Sequence, residues 1–325
     1  MGLLLSTGLA VAAYLLGSQF PIVGGPVFGI ALGIAVGSTG LVGPVFRPGI
    51  TFASKQVLQG AIIVLGAGLS LGQIVRTGSD SLAVMPITMA VGLVAAAVLG
   101  RVLKVPGRLT ALIGVGTGIC GASAIAAVSP LVEAEDQDVA YAISTIFAFN
   151  IAAVLIFPLL GHLMGLSQNA FGLWAGTAIN DTSSVVAASY SFGQEAGTYA
   201  TVVKLTRSTM IIPIVLGIAL FKALTAVGTG GGMARVNLRR VIPWFIVWFL
   251  VAAVLNTVGI LPAVVTEQAP VLGKFLIVVA LTAVGLSANF KQMVKTGHKP
   301  ILLGLLLWAT VAGTSLLVQR LTGQM

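Results

Sequence analysis

Charge is nearly absent from this chain. Asp, Glu, Lys and Arg make up only 8% of its 325 residues, against 57% hydrophobic, whereas a soluble domain is about 25% charged. Too few water-compatible side chains remain to cover a globule of this size, so the chain is expected to live in a bilayer. The 41 glycines fit that reading, because small residues let transmembrane helices approach closely. A soluble enzyme, a disordered chain and a disulfide scaffold are excluded. The one cysteine, Cys120, cannot close an internal disulfide and leaves no cysteine-based metal cluster.

A helix needs about 20 apolar residues to cross the hydrocarbon core. Cutting the chain at charges and Pro/Gly clusters gives eleven segments: 3–16, 21–37, 51–71, 82–100, 109–129, 139–160, 170–190, 199–220, 241–255, 271–288 and 301–317. The fold class is therefore an all-α membrane protein of about 11 transmembrane helices, with discontinuous helices and an inverted repeat. The first segment lacks a basic leader and runs on into apolar sequence, so it reads as a retained helix. Basic residues in short loops mark the cytoplasmic side. With the N-terminus inside, Arg47, the Arg101/Lys104/Arg108 cluster, the Lys222/Arg235/Arg239/Arg240 cluster and the Lys291/Lys295/Lys299 cluster all fall inside. Arg76, Arg320 and the acidic loop of Glu133, Glu135, Asp136 and Asp138 fall outside, as does the C-terminus. The formal charge of +9 is then a topology signal, and no nucleic-acid partner is expected.

Transporters often carry two inverted copies of one bundle around a site at the membrane midplane. Residues 55–78 align without gaps on 274–297, with 7 of 24 positions identical, in segments that cross in opposite directions. Residues 116–129 (GTGICGASAIAAVS) align on 176–189 (GTAINDTSSVVAAS) with six of fourteen identical. These last two lie in segments that would run the same way, so the matches conflict. The division adopted is an extra helix at 1–20 and repeats at 21–165 and 166–325, forming one membrane domain.

An ionisable side chain within a span costs at least about 2.5–3.5 kcal/mol on insertion scales and is a functional candidate by default. Lys55 and Lys274 lie near span ends and can snorkel to the interface. Asp181 sits in WAGTAINDTSS, where polar residues that favour caps and turns crowd an apolar span. A helix break is expected near residues 179–182, with Thr177, Asn180, Thr182, Ser183 and Ser184 at an anion-binding helix N-terminus. Lys204 and Arg207, three residues apart, share one helix face. Asp181 is expected to neutralise one, leaving the other for an anion. GVGTGICGAS offers Thr117, Gly118, Cys120, Gly121 and Ser123 as an unwound stretch or as close helix packing. Ser287, Asn289 and Asn150 are weaker candidates, and His162 and His298 lie at span ends. No metal or cofactor is expected. The chain lacks a P-loop, an HExxH pair and a nucleophile elbow, so neither ATP-driven transport nor enzymatic hydrolysis has motif support.

GTGICGASAIAAVSPL, WAGTAINDTSSVVAASY and VVKLTRSTMIIPIVL, in that order, resemble the YeiH-type sulfate exporter family over essentially the whole chain. The resemblance implies a multi-pass protein of the bacterial inner membrane, related to the cation/proton antiporter and anion transporter superfamily. It further implies inverted repeats, a core with crossed discontinuous helices, a dimerisation panel and a homodimer. Many relatives carry His before the acid, where this chain has Asn180. That departure removes a group titrating near neutrality. The expected function is export of a small oxyanion (sulfate, sulfite or an organic sulfonate) by alternating access. The alternatives are a sodium/proton antiporter of the same fold and a holin-like channel.

Overall fold

The structure is a computed structural model and describes residues 1–20, 24–40, 42–210, 214, 217, 244–287 and 298–325. Lys222, Arg235, Arg239, Arg240, Asn289, Lys291, Lys295 and most of the expected span beyond residue 210 lie outside the described residues, as does the end of the 274–297 repeat. The described residues form helices and connecting turns, with no strand among them. Among the described residues six helices, Gly2–Gln19, Pro44–Ala67, Met85–Val102, Asp136–Leu163, Ala263–Leu286 and His298–Leu321, are long and apolar enough to cross a membrane. Gly24–Ser38 and Trp244–Thr257 are shorter apolar helices.

In chain order the described helices are α1 (Gly2–Gln19), α2 (Gly24–Ser38), α3 (Arg47–Phe52), α4 (Leu58–Ala67), α5 (Leu71–Ser81), α6 (Met85–Val102), α7 (Gly107–Gly118) and α8 (Ala122–Val128). There follow α9 (Asp136–Leu163), α10 (Gln168–Ala178), α11 (Thr182–Phe192), α12 (Gln194–Thr209), α13 (Trp244–Thr257), α14 (Ala263–Leu286) and α15 (His298–Leu321). Helices α1, α2, α4, α13 and α14 pack together as one layer. Glycines 25, 29, 33 and 37 of α2 lie against α14, the close approach that small residues permit in lipid. Helix α9 packs against α7, α8, α11 and α15, and α6, α10 and α12 complete this second group through α7, α11 and α15. The two groups meet at an apolar seam, where Val154, Val186, Ala187 and Tyr190 face Ile30, Ala61, Leu65, Ile277 and Leu281.

Segments 109–129 and 170–190 are each two short helices rather than one continuous span. Each turns back at its middle. In the second, Phe171 near the start of α10 stacks on Phe192 at the end of α11, with ring centroids 3.9 Å apart. The Ala196 amide donates to Gln168 Oε1 at 3.0 Å, so the chain leaves where it came in. In the first, Arg108 at the start of α7 pairs with Glu135 at 3.5 Å. Val105 and Leu109 pack with Val132, Ala134 and Val139 beyond α8. Both are re-entrant hairpins, and a count of apolar residues cannot tell such a hairpin from a span.

Helix α9 measures their depth. Its 28 residues extend about 42 Å at 1.5 Å per residue, more than the roughly 30 Å hydrocarbon core. Glu135 at its beginning meets the base of the first hairpin, and His162 at its end stacks on Phe192 at the base of the second. Between them, Ile146 touches Gly121, and Asn150 Oδ1 accepts from the Asp181 amide at 3.3 Å. The hairpins therefore come in from opposite ends and meet tip to tip at half depth.

This geometry removes the directional objection to the second sequence match, although the two matches still imply different offsets and no single duplication. Residues 116–129 and 176–189 form the two tips and their return helices, and they are oppositely oriented after all. It also corrects the loop assignment: Glu133, Glu135, Asp136 and Asp138 lie at the same end as Arg108, not at the opposite one. The parity of the topology is unaffected, because two segments that return remove an even number of crossings. Cysteines placed at Asn169 and Gln194 in a Cys120→Ala background should therefore react with an impermeant maleimide from one and the same side. Cysteines at Lys104 and Gln137 should react from the other. Labelling of 169 and 194 from opposite sides would refute the hairpin.

Candidate functional site

Both tips are built by residues that leave the helical conformation. After α7, Ile119, Cys120 and Gly121 form the turn, and the Gly121 amide donates to Gly116 O at 2.9 Å. Gly121 has φ +67° and ψ −130°, a conformation open to glycine and strained for other residues. A Cβ there would find ordinary room, 3.5 Å from Ile146 Cγ2 and 3.6 Å from Asp181 Cβ. Gly121→Ala should thus cost about 1–3 kcal/mol of stability through backbone strain. A thermal melt checks this, and an unchanged midpoint would mean that the tip relaxes.

After α10, Ile179 and Asp181 are extended and the chain bends at Asn180 and Asp181, within the interval that the polar cluster predicts. Asp181 caps α11, its carboxylate accepting from the Ser183 amide at 2.9 Å and also from the Ser183 hydroxyl. The second hairpin is fixed from behind. Phe157 stacks on Trp174 at 4.1 Å, Trp174 Nε1 donates to Ala312 O at 3.1 Å, and the Thr177 hydroxyl meets that of Ser315 at 2.6 Å.

Lys204 and Arg207 descend between the tips on α12. Both are fully buried, at 0% exposure, but neither pairs with Asp181. Lys204 Nζ donates to Ile119 O at 3.1 Å and to Ile179 O at 2.9 Å. The Arg207 guanidinium donates from Nε to Gly118 O at 3.1 Å and from Nη2 to Thr117 O at 2.9 Å and Gly118 O at 2.7 Å. Its Nη1 donates to Thr177 O. In the ungapped match 117 corresponds to 177 and 119 to 179. Arg207 thus bridges one pair of carbonyls aligned by that match, those of 117 and 177, and Lys204 the next, those of 119 and 179.

The acceptors are the last carbonyls of α7 and α10, which have no intrahelical partner and carry the negative end of each dipole. The bases thus satisfy groups that would otherwise be bare in the membrane, where each costs several kcal/mol. This differs from the expectation that Asp181 neutralises one base and leaves the other free. Backbone carbonyls do not register as residue types, so inspection of side chains alone overlooks them.

The structure brings Thr117, Gly118, Cys120, Gly121, Thr177, Asn180, Asp181, Ser183, Lys204 and Arg207 together. Ser184 is buried one residue further along α11, and Thr182, like Asp181, is half-buried. Ser123, the second residue of α8 and two beyond Gly121, is exposed. Lys55 is exposed and Lys274 half-buried, and neither is at the tips. His162 and His298 are exposed. Asn150, a minor candidate from sequence, holds the second tip. Among the described residues no three His, Cys, Asp or Glu side chains converge as a metal site requires. At the base of the second hairpin a cavity of about 1010 Å³, lined among others by Arg76, Asp80, Gln168, Glu195 and Tyr199, reaches inward to Leu173 and Val202.

Residues 1–304 match the family profile described as conserved hypothetical protein 698. A UPF0324 membrane protein of Fusobacterium nucleatum is 40% identical, over 99% of this chain and 98% of its own length. The chain belongs to the UPF0324 membrane protein family. Another family member, from Streptococcus agalactiae, is 41% identical over 99% of this chain and 97% of its own, and one from Clostridium tetani is 38% identical over 100% and 97%. These UPF0324 relatives carry no enzymatic name, and their names extend to the membrane and no further. No solved structure matches.

Proposed function

We propose that this protein is a secondary transporter that exports a small oxyanion, with sulfate, sulfite and organic sulfonates as the candidates, by alternating access around the hairpin tips. The carrying observation is the charge at half depth: two buried bases against one acid. The bases offset the negative ends of α7 and α10, while the positive end of α11 faces the tips. Asp181 alone leaves positive charge in excess, and in a low-dielectric region such an excess attracts an anion strongly.

The bases act on that anion through their field, since their donors go to carbonyls. Contact falls to groups nearer the surface of the site: the hydroxyls of Thr182, Ser184 and Ser123, and the Thr182 and Ser184 amides. Among the described residues no acceptor faces those two amides. Asp181 serves as counter-ion or coupling group. Non-helical backbone at membrane depth is tolerated where it lines a cavity or lies against protein, and binding between broken half-helices is the general pattern of such transporters. A sodium/proton antiporter finds less support, because a lone carboxylate is a meagre cation site.

The reading extends to the whole chain. An extra helix at 1–20 would precede inverted repeats at 21–165 and 166–325. Arg47, Arg101, Lys104, Arg108 and Lys299 would mark the cytoplasmic end, with the N-terminus inside and the C-terminus outside. The homodimer and the bacterial inner membrane come from the family resemblance.

Counterflow in proteoliposomes loaded with sulfate or sulfite tests the function. Saturable exchange of labelled anion is the expected result. Flux that never saturates would favour a channel, and cation-dependent acidification without anion flux would favour the antiporter.

A further inference from the structure

The carbonyl ends of two half-helices meeting at mid-membrane are the groups that coordinate a transported cation in transporters built from broken helices. In this protein five such carbonyls converge, those of Thr117, Gly118, Ile119, Thr177 and Ile179, and every one of them accepts from Lys204 or Arg207. Lys204 Nζ is the more telling of the two. It is a compact point charge held between the equivalent carbonyls of Ile119 and Ile179, at 3.1 and 2.9 Å. Two further oxygens belong to the same turns: Thr117 Oγ1 and Asn180 Oδ1 are buried without a hydrogen-bond partner, in residues that are each 1% exposed.

We infer that Lys204 and Arg207 are tethered cations filling the carbonyl-lined positions between the hairpin tips that a diffusible monovalent cation would need, so that the protein works without Na+ or K+ bound there. A free ion in the same place would meet two fixed positive charges and find no vacant carbonyl. The tip carbonyls stay occupied whatever the ion gradient, and export would have to draw on exchange or on a proton instead. Removing the Lys204 ammonium while keeping Arg207 would vacate the Ile119 and Ile179 carbonyls beside the Thr117 and Asn180 oxygens. That set suits a small cation.

The inference rests on reading the tips as the transport site, but its test needs no transport. The purified full-length protein is melted in NaCl, KCl and choline chloride at matched ionic strength. The wild type should melt at one temperature in all three. A saturable rise of several degrees specific to Na+ or K+, the size expected of a ligand well above its Kd, would overturn the inference. Lys204→Ala should melt lower in choline chloride and recover part of the loss in NaCl or with propylammonium, which replaces the deleted atoms. If Lys204→Ala instead melts like the wild type in choline chloride, the ammonium is not holding the carbonyls and the inference fails. Should the variant not fold in any salt, the wild-type comparison decides alone. A protein that melts identically in all salts yet moves no anion would sink the transport reading and leave the tethered cations standing.

Discussion

Arg207→Leu is expected to prevent the protein from accumulating as a folded, monodisperse species. The substitution strips donors from the Thr117, Gly118 and Thr177 carbonyls, which lie beyond the reach of bulk water. An unsatisfied buried polar group costs about 1–3 kcal/mol, so the combined loss approaches the roughly 5–15 kcal/mol by which a typical protein is stable at all. Relief from burying the guanidinium does not give those carbonyls new partners. Arg207→Lys keeps the charge but not the planar fork that spans both hairpins, and it should fold with a clearly lowered melting temperature. Size-exclusion profiles and melts of the two variants check this. A Leu variant as stable as the wild type would mean that the carbonyls find other donors and that the bridge is dispensable.

Asp181→Asn should do the opposite: fold well and transport badly. Asn caps a helix about as well as Asp, so the start of α11 survives. What changes is the charge. A carboxylate about 5 Å from a bound anion repels it by roughly 3 kcal/mol at an effective dielectric constant of about 20. Its removal should tighten anion binding at least about tenfold, 1.4 kcal/mol being worth one decade. An anion held that firmly leaves slowly, and net flux should fall by a similar factor. Equilibrium binding of labelled anion and flux from proteoliposomes give the two numbers. Weaker anion binding in Asp181→Asn would contradict this electrostatic role of the carboxylate.

The parts of this architecture that depend on side-chain chemistry were legible in the sequence, and those that depend on the backbone were not. Asn180, Asp181, Thr182, Ser183 and Ser184 interrupt an apolar run with residues that prefer caps, and the break falls among them. The first tip is written in Gly118, Cys120 and Gly121, which serve a turn and a tight helix crossing equally well. Only the φ of +67° at Gly121 distinguishes the two. The hairpins were hidden for a geometric reason. Eleven residues in and eleven out have the same length and hydropathy as one span of that size, and what reveals the return is contact between distant positions such as Phe171 and Phe192. One trace of it is visible in the sequence: two similar segments, 116–129 and 176–189, run the same way if each is a single span and in opposite ways once each turns back. The setting of Lys204 and Arg207 was the least legible part. Side-chain reasoning sought an acid for them, and the acceptors turned out to be main-chain oxygens.

The most direct test of an anion seated at the tips uses the scarcity of thiols in this protein. Cys120 is its single cysteine, so Cys120→Ala supplies a silent background. Ser123→Cys then puts one thiol at an exposed position on the first return helix. Iodoacetamide should modify that thiol readily, and sulfate, sulfite or methanesulfonate should slow the reaction along a saturating curve, while chloride of equal ionic strength leaves it unchanged. A rate indifferent to all three oxyanions would contradict the account.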